Sequence, residues 1–298
     1  MIEITSLTKT YGGGLKAVHA LNGVDLTIEN GMFGLLGPNG AGKTSLMRIL
    51  AGIVRPSSGR VTVDSRDLSS EDGRKAVKSF LGYLPQELGM YPELSAAQFV
   101  DYMAVLKGLD DPGRRAQQVE KVLDMVGLTE AANRRIKTFS GGMKRRVGIA
   151  QALVNDPRLL IVDEPTSGLD PEERIRFRNL LVRLAADRTV LLSTHIVEDI
   201  GQTCRDLAVL ARGQVLFRGS PAGLIARADG HVWTCTTDSL EKPDHGLTVV
   251  SMLHLVEGTQ YRLVGDSVGG LAAQPAQPGL EDSYVWLMKE AGQAVEMS

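Results

Sequence analysis

Gly37-Pro38-Asn39-Gly40-Ala41-Gly42-Lys43-Thr44 decides the fold of this 298-residue chain. The stretch has the spacing G-x-x-x-x-G-K-[ST], and Ser45 extends it. Its glycines let the backbone curl until several N–H groups converge on phosphate oxygens. Lys43 sets a cation against the terminal phosphates, and the Thr44 hydroxyl is a ligand for Mg2+. Met32 to Leu36, just before, reads as a short apolar strand, and Thr44 to Leu50 has helical spacing. Strand, glycine-rich loop, helix is the context the motif requires, and the helix offers its positive end to the anion. The plainer reading is a glycine-rich turn without a ligand.

A second acidic element follows at Leu159-Leu160-Ile161-Val162-Asp163-Glu164-Pro165. The apolar run reads as a buried central strand of a parallel sheet. Its carboxyl end is where open α/β sheets bind ligands. Asp163 is placed to hold Mg2+, and Glu164 to take a proton from an attacking water. Alone, the same run reads as a strand ending in a solvated acidic turn. Ser140-Gly141-Gly142 opens a helix running to about Leu153 and makes another anion site from a hydroxyl, bare N–H groups and a helix dipole. Taken by itself it is an ordinary helix cap. A second γ-phosphate site makes sense if it serves the nucleotide of another copy.

With these elements in order, the chain resembles ATP-binding cassette (ABC) ATPases over residues 1 to about 220. Ser140-Gly141-Gly142 is similar to their LSGGQ signature. Tyr11 looks like the aromatic that stacks on adenine, and Gln86 like the glutamine of the loop between subdomains, which touches Mg2+. Ser167-Gly168-Leu169-Asp170 resembles the loop that crosses to a partner subunit, and His195 the histidine on the γ-phosphate. Each has a plainer alternative: a packed aromatic, a surface amide, a helix cap before Pro171, a strand-end histidine. The resemblance implies that Tyr11 and Gly37 to Ser45 bind ATP. It implies catalytic roles for Lys43, Gln86, Glu164 and His195, and Mg2+ on Thr44, Gln86 and Asp163. Ser140, Gly141 and Gly142 then act on a partner's ATP. Phe139 and Met143 depart from the usual Leu and Gln. The variant FSGGMKRR resembles ATPases paired with ABC-2 type permeases, which mostly export. Lys144, Arg145 and Arg146 are expected to form a solvated helix face.

The expected fold is α/β. It has a P-loop NTPase core with a mostly parallel sheet and helices on both faces, plus an N-terminal antiparallel β subdomain. A helical insert is expected at about 92–154, where Ala96 to Leu106 and Arg114 to Val126 carry apolar residues at helical spacing. An accessory α+β domain is expected at 229–298 after an ATP-binding domain at 1–228. Within it, 269–279 reads as a loop and Leu280 to Ala291 as a closing helix, packed on its own sheet with a dimer contact.

The formal net charge of −2 gives no electrostatic reason to expect nucleic acid. Two cysteines, Cys204 and Cys235, read as small buried hydrophobes. No window approaches the roughly 18 apolar residues of a membrane span. The resemblance therefore implies a separate permease docking near Gln86 to Leu94, a second ATP-binding subunit, and a place on the cytoplasmic face of the membrane. An importer ATPase and a non-transport ABC ATPase are the alternatives. A kinase or GTPase would not explain Ser140-Gly141-Gly142.

Overall fold

The computed structural model describes residues 1–166, 169–238, 246–256, 258–268 and 271–292. Its residues fall into two compact units. One holds 1–195 and 208–215, and the other 196–207 and 216–298.

In the first unit, an antiparallel sheet of order β2-β1-β4-β5 is built from β1 (Ile2–Tyr11), β2 (Val18–Ile28), β4 (Ser58–Val63) and β5 (Arg66–Asp67). Alternation along β1 buries Ile2 and Ile4, and a register shift after Ile4 turns Leu7 inward as well. The central sheet has order β10-β9-β3-β8-β7-β6, with β3 (Gly31–Leu36), β6 (Leu81–Leu84), β7 (Leu159–Asp163), β8 (Thr189–Thr194), β9 (Asp206–Ala211) and β10 (Gln214–Gly219). The pairs β3–β8, β8–β7 and β7–β6 are parallel. Parallel strands need a crossover and lie covered on both faces. Every residue of β7 and β8 is accordingly buried.

Helix α1 (Lys43–Leu50) crosses over after β3 and buries Leu46, Met47, Ile49 and Leu50. These residues join Ile2, Leu7, Leu35, Ile161, Leu191 and Leu210 in one core. Each fully buried aliphatic side chain contributes about 1.5–3 kcal/mol. Helix α2 (Glu71–Ser79) is capped by Ser70, which accepts from the Gly73 N–H at 3.0 Å.

The helical region has α3 (Ala96–Leu106), α4 (Pro112–Met125) and α5 (Gly141–Leu153). Ser95 and Gln98 form a capping box at the start of α3, and Asp111 caps α4 by accepting from the Arg114 N–H at 2.7 Å. Helix α5 lies hard against β6: a Cβ at Gly82 would stand 2.2 Å from the Ala152 carbonyl oxygen. The crossover from β7 to β8 is α6 (Pro171–Leu184).

The second unit carries α7 (Val197–Thr203), α8 (Pro221–Ile225), α9 (Leu280–Glu290) and a sheet of order β12-β13-β11-β14. Its strands are β11 (Val232–Thr237), β12 (Thr248–Leu255), β13 (Gly258–Val264) and β14 (Ala273–Pro275). Helix α9 packs on this sheet through Val285 and Trp286, against Val232, Val250 and Val264. Arg262 on β13 pins the start of α9 by pairing with Asp282 at 2.7 Å. The expected loop at 269–279 instead contains β14, which pairs with Trp233 to Cys235. Ala, Gln and Pro are poor strand formers, but an edge strand tolerates a Pro whose missing N–H faces outward. Residues 269 and 270 of that stretch lie outside the described residues.

Because the Gly82 contact is with backbone, Gly82→Ala is expected to destabilise the protein by about 1–3 kcal/mol. Urea denaturation checks this; an unchanged midpoint would mean that α5 is free to move away from β6.

Candidate nucleotide site

The parallel strands bring their carboxyl ends to one edge. The last paired rows are Leu36↔Thr194, Asp163↔Ser193 and Leu84↔Val162. Gly37, His195, Glu164 and Gln86 each lie within two residues of such a row. Residues distant in sequence therefore meet at the crevice where open α/β sheets hold ligands.

The glycine-rich loop curls against its neighbours. A Cβ at Gly37 would stand 2.1 Å from the Leu210 carbonyl oxygen, and one at Gly42 2.3 Å from that of Ala20. Gly42 also has φ +106°, a region that side chains other than glycine rarely enter. The Ala41 N–H donates to the Pro38 carbonyl at 3.2 Å, while Asn39 and Gly40 are exposed at the tip. No side chain caps the start of α1, so its first N–H groups are open to an anion. Tyr11 is partly exposed, and its hydroxyl reaches Ser45 Oγ at 3.4 Å, so its ring stands beside this loop. Lys9 Nζ lies 4.8 Å from the centre of that ring.

Three charges are buried behind the loop: Lys43, Asp163 and Glu164. Lys43 Nζ donates to the Gly37 carbonyl at 2.6 Å and the Pro38 carbonyl at 3.1 Å, with Glu164 Oε1 at 3.7 Å. Burial lowers the pKa of Lys43, and the charges of Glu164 and Asp163 oppose that shift. Burial raises the pKa of Asp163, and the neighbouring Thr44 and Ser193 hydroxyls oppose it. Neither Asp163 oxygen makes a hydrogen bond of normal geometry. A buried, acceptor-only carboxylate beside a threonine hydroxyl is a donor set for a hard cation. Glu164 Oε2 lies 2.9 Å from Nδ1 of His195, whose side chain is half exposed. A carboxylate so held against an imidazole has the geometry to accept a proton from a bound water.

Glu164 has φ +47°, a left-handed conformation in a non-glycine residue. Its N–H donates to the Ser193 carbonyl at 3.0 Å. The remaining support comes from Arg145. This side chain is 7% exposed, which overturns the expectation of a solvated face. It donates to the carbonyls of Asp163 (3.0 Å), Glu164 and Pro165 (2.9 Å), and to those of Gln86 (2.8 Å) and Pro85 (3.3 Å). Burial lowers its pKa, against the attraction of Asp163 and Glu164. Arg146 is half buried, donating to the Gly127 carbonyl at 3.2 Å and pairing with Glu173 at 3.1 Å. Only Lys144 is exposed as expected. Three basic residues in a row signal a solvated face; nothing in the sequence shows that α5 turns the middle one inward.

Ser140 caps α5, accepting from the Met143 N–H at 3.2 Å, and is itself exposed. A Cβ at Gly141 would meet nothing within 4 Å, and one at Gly142 would touch only Glu173. The α5 N-terminus thus faces open space. Gln86 is exposed and is held through its carbonyl. Asp170 caps α6 by accepting from the Glu173 N–H at 2.8 Å. Ser167 and Gly168 lie outside the described residues.

The ABC transporter family model matches residues 21–167. The linearmycin resistance ATP-binding protein LnrL of Bacillus subtilis is 33% identical over 265 residues, 88% of this chain and 83% of its own. The methionine import ATP-binding protein MetN 2 of Rhodococcus jostii is 38% identical over 225 residues, 74% of this chain and 66% of its own. An ATP-binding cassette solved as a dimer, in a post-hydrolysis state with ADP and Pi, aligns with a TM-score of 0.68 and 27% identity. That alignment spans 74% of this chain and 98% of the cassette. The phosphate loop, the acidic strand end and the histidine beside it thus stand in a chain that belongs to the ABC transporter family, as an ATP-binding subunit that hydrolyses ATP.

Proposed function

We propose that two copies of this chain, or one copy and a close relative, face each other head to tail around two ATP molecules. The open N-terminus of α5 carries this reading. Ser140 and Gly141 are exposed, and Gly142 is half-buried beside Glu173, so a hydroxyl and the first N–H groups of α5 are open to a ligand. The solved dimeric cassette supports such a pairing by similarity. Each ATP then lies between Lys43, Thr44, Asp163, Glu164, Gln86 and His195 of one subunit and the Ser140–Gly142 turn of the other. Tyr11 stacks on the adenine, Gly37 to Ser45 wrap the phosphates, and Asp170 lies on the loop that meets the partner.

Thr44, Asp163 and Gln86 are the residues that would hold Mg2+; when bound, it neutralises charge on the phosphate oxygens. Glu164 is the base that takes the proton of the attacking water. His195 holds that carboxylate at 2.9 Å and faces the γ-phosphate. The buried charges are fixed before substrate arrives, which is the form of electrostatic stabilisation that costs least on reaction.

Residues 1–228 form the ATP-binding domain and 229–298 an accessory domain. Turnover drives a separate membrane permease, and no helix among the described residues is long and apolar enough to cross a membrane itself. A groove of about 680 Å³ beside Gln86, lined by Tyr83, Leu88, Met90, Phe99 and Met103, supports docking of the permease there. The subunit would thereby sit on the cytoplasmic face of the membrane. We read the direction as export. The FSGGMKRR form and the resistance name of LnrL support it, and the similarity to an import subunit runs the other way.

Glu164→Gln is expected to bind ATP, to dimerise more stably by light scattering, and to lose about 10²–10⁴ in turnover. Normal turnover would remove Glu164 as the base. Lys43→Ala is expected to lose nucleotide binding, followed with a fluorescent ATP analogue. Inverted membrane vesicles carrying the permease and this subunit are expected to accumulate substrate when ATP is added outside. ATP-driven loss from preloaded vesicles would reverse the assigned direction.

A further inference from the structure

Helix α5 begins at the turn proposed to touch a partner's ATP and, one turn later, carries Arg145. That side chain grips two separate segments of its own subunit. The Nε and Nη2 groups hold the carbonyls of Asp163, Glu164 and Pro165, and Nη1 holds those of Pro85 and Gln86. A guanidinium offers planar donors fixed in one frame, so the segments it bonds must move together. The grip is on backbone, and it lies at the residue whose φ of +47° needs external support. The contact is buried, so water cannot readily replace the donors. Next to it, Arg146 pairs with Glu173, three residues beyond Asp170. The neighbouring arginines thus tie α5 to the catalytic turn, to the Gln86 loop and to the start of α6.

We propose that Arg145 is a positioning residue for hydrolysis, linking the seat of α5 on a partner's nucleotide to the placement of Glu164 and Gln86 in its own subunit. This rests on the head-to-tail reading above. Docking of Ser140 to Gly142 on one ATP moves α5 as a body, and Arg145 carries that displacement to the turn holding the base for the other ATP. The two sites therefore hydrolyse cooperatively, while nucleotide binding to Lys43 and Thr44 does not depend on the arginine.

The full-length protein tests this by MgATP turnover across ATP concentration, fluorescent ATP-analogue binding and light scattering. Arg145→Ala is expected to lower kcat about 10²-fold, the scale of a slight misplacement of reacting groups. Nucleotide affinity and ATP-dependent dimerisation should stay as in the native protein, and the Hill coefficient should fall toward unity. Added guanidinium, kept far below denaturing levels, should restore part of kcat. Native kcat and cooperativity in Arg145→Ala overturn the inference. So does a loss of kcat matched by an equal loss of affinity, without guanidinium rescue. If Arg145→Ala does not fold, Arg145→Lys decides: it keeps the charge but not the planar fork, and native turnover and cooperativity in it overturn the inference. Dimerisation of the native protein without ATP dependence removes the head-to-tail reading and this inference with it. ATP-dependent dimerisation with an indifferent Arg145→Ala removes only the arginine's role.

Discussion

Burial of Lys43, Asp163 and Glu164 at one edge of the parallel sheet is the constraint on which the rest depends. Unpaired charges in such a place cost several kcal/mol each. Lys43 offsets its cost by donating to the loop carbonyls of Gly37 and Pro38, with Glu164 Oε1 3.7 Å away. Glu164 is held in turn by His195 at 2.9 Å. Asp163 is the least compensated of the three, and burial raises its pKa accordingly. The set is balanced across two strands and a loop, so each element must keep its register for the others to be tolerable. A slip of one residue between β7 and β8 would turn Asp163 out of the crevice and leave the lysine without its nearest carboxylates.

The same constraint explains why so much backbone is pressed against the site. Gly37 and Gly42 approach carbonyl oxygens at distances that exclude any Cβ. Glu164 takes a left-handed φ that a side chain normally avoids, at a cost of order 1–3 kcal/mol. The structure keeps that conformation by hydrogen bonds from a buried guanidinium and from the Glu164 N–H to β8. Strain sits at the candidate site, and the packed sheet and α5 hold it in place.

Much of this was legible in the sequence, for identifiable reasons. The phosphate loop announces itself because its residue types are dictated by local backbone geometry and by phosphate. The run Leu159 to Asp163 is legible because a strand buried on both faces must be apolar throughout. The start of α6 follows from Asp170 acting as its cap before Pro171. Arg145 was not legible. Its direction depends on how α5 is rotated against β6 and β7, which no local pattern encodes, and its targets are carbonyls, which any residue supplies. Strand β14 was hidden for a related reason: its pairing with β11 is made by backbone, and Ala273-Gln274-Pro275 carries no strand preference of its own.

The departures around the signature turn follow the same division between local and tertiary causes. Phe139 stands where the family usually has leucine, and it is buried, with the Arg134 guanidinium 5.6 Å from its ring. It therefore answers to packing in the helical region and leaves the exposed N-terminal end of α5 alone. That end is formed by Ser140, which caps the helix, and by Gly141, around which there is open space. Arg145 lies one turn further on, facing inward. A turn built this way can vary its flanking residues with the packing beneath it while its outward face stays constant. On the inward side of α5, by contrast, a guanidinium joins the helix that begins at Ser140 to the backbone of the turn at Asp163 and Glu164.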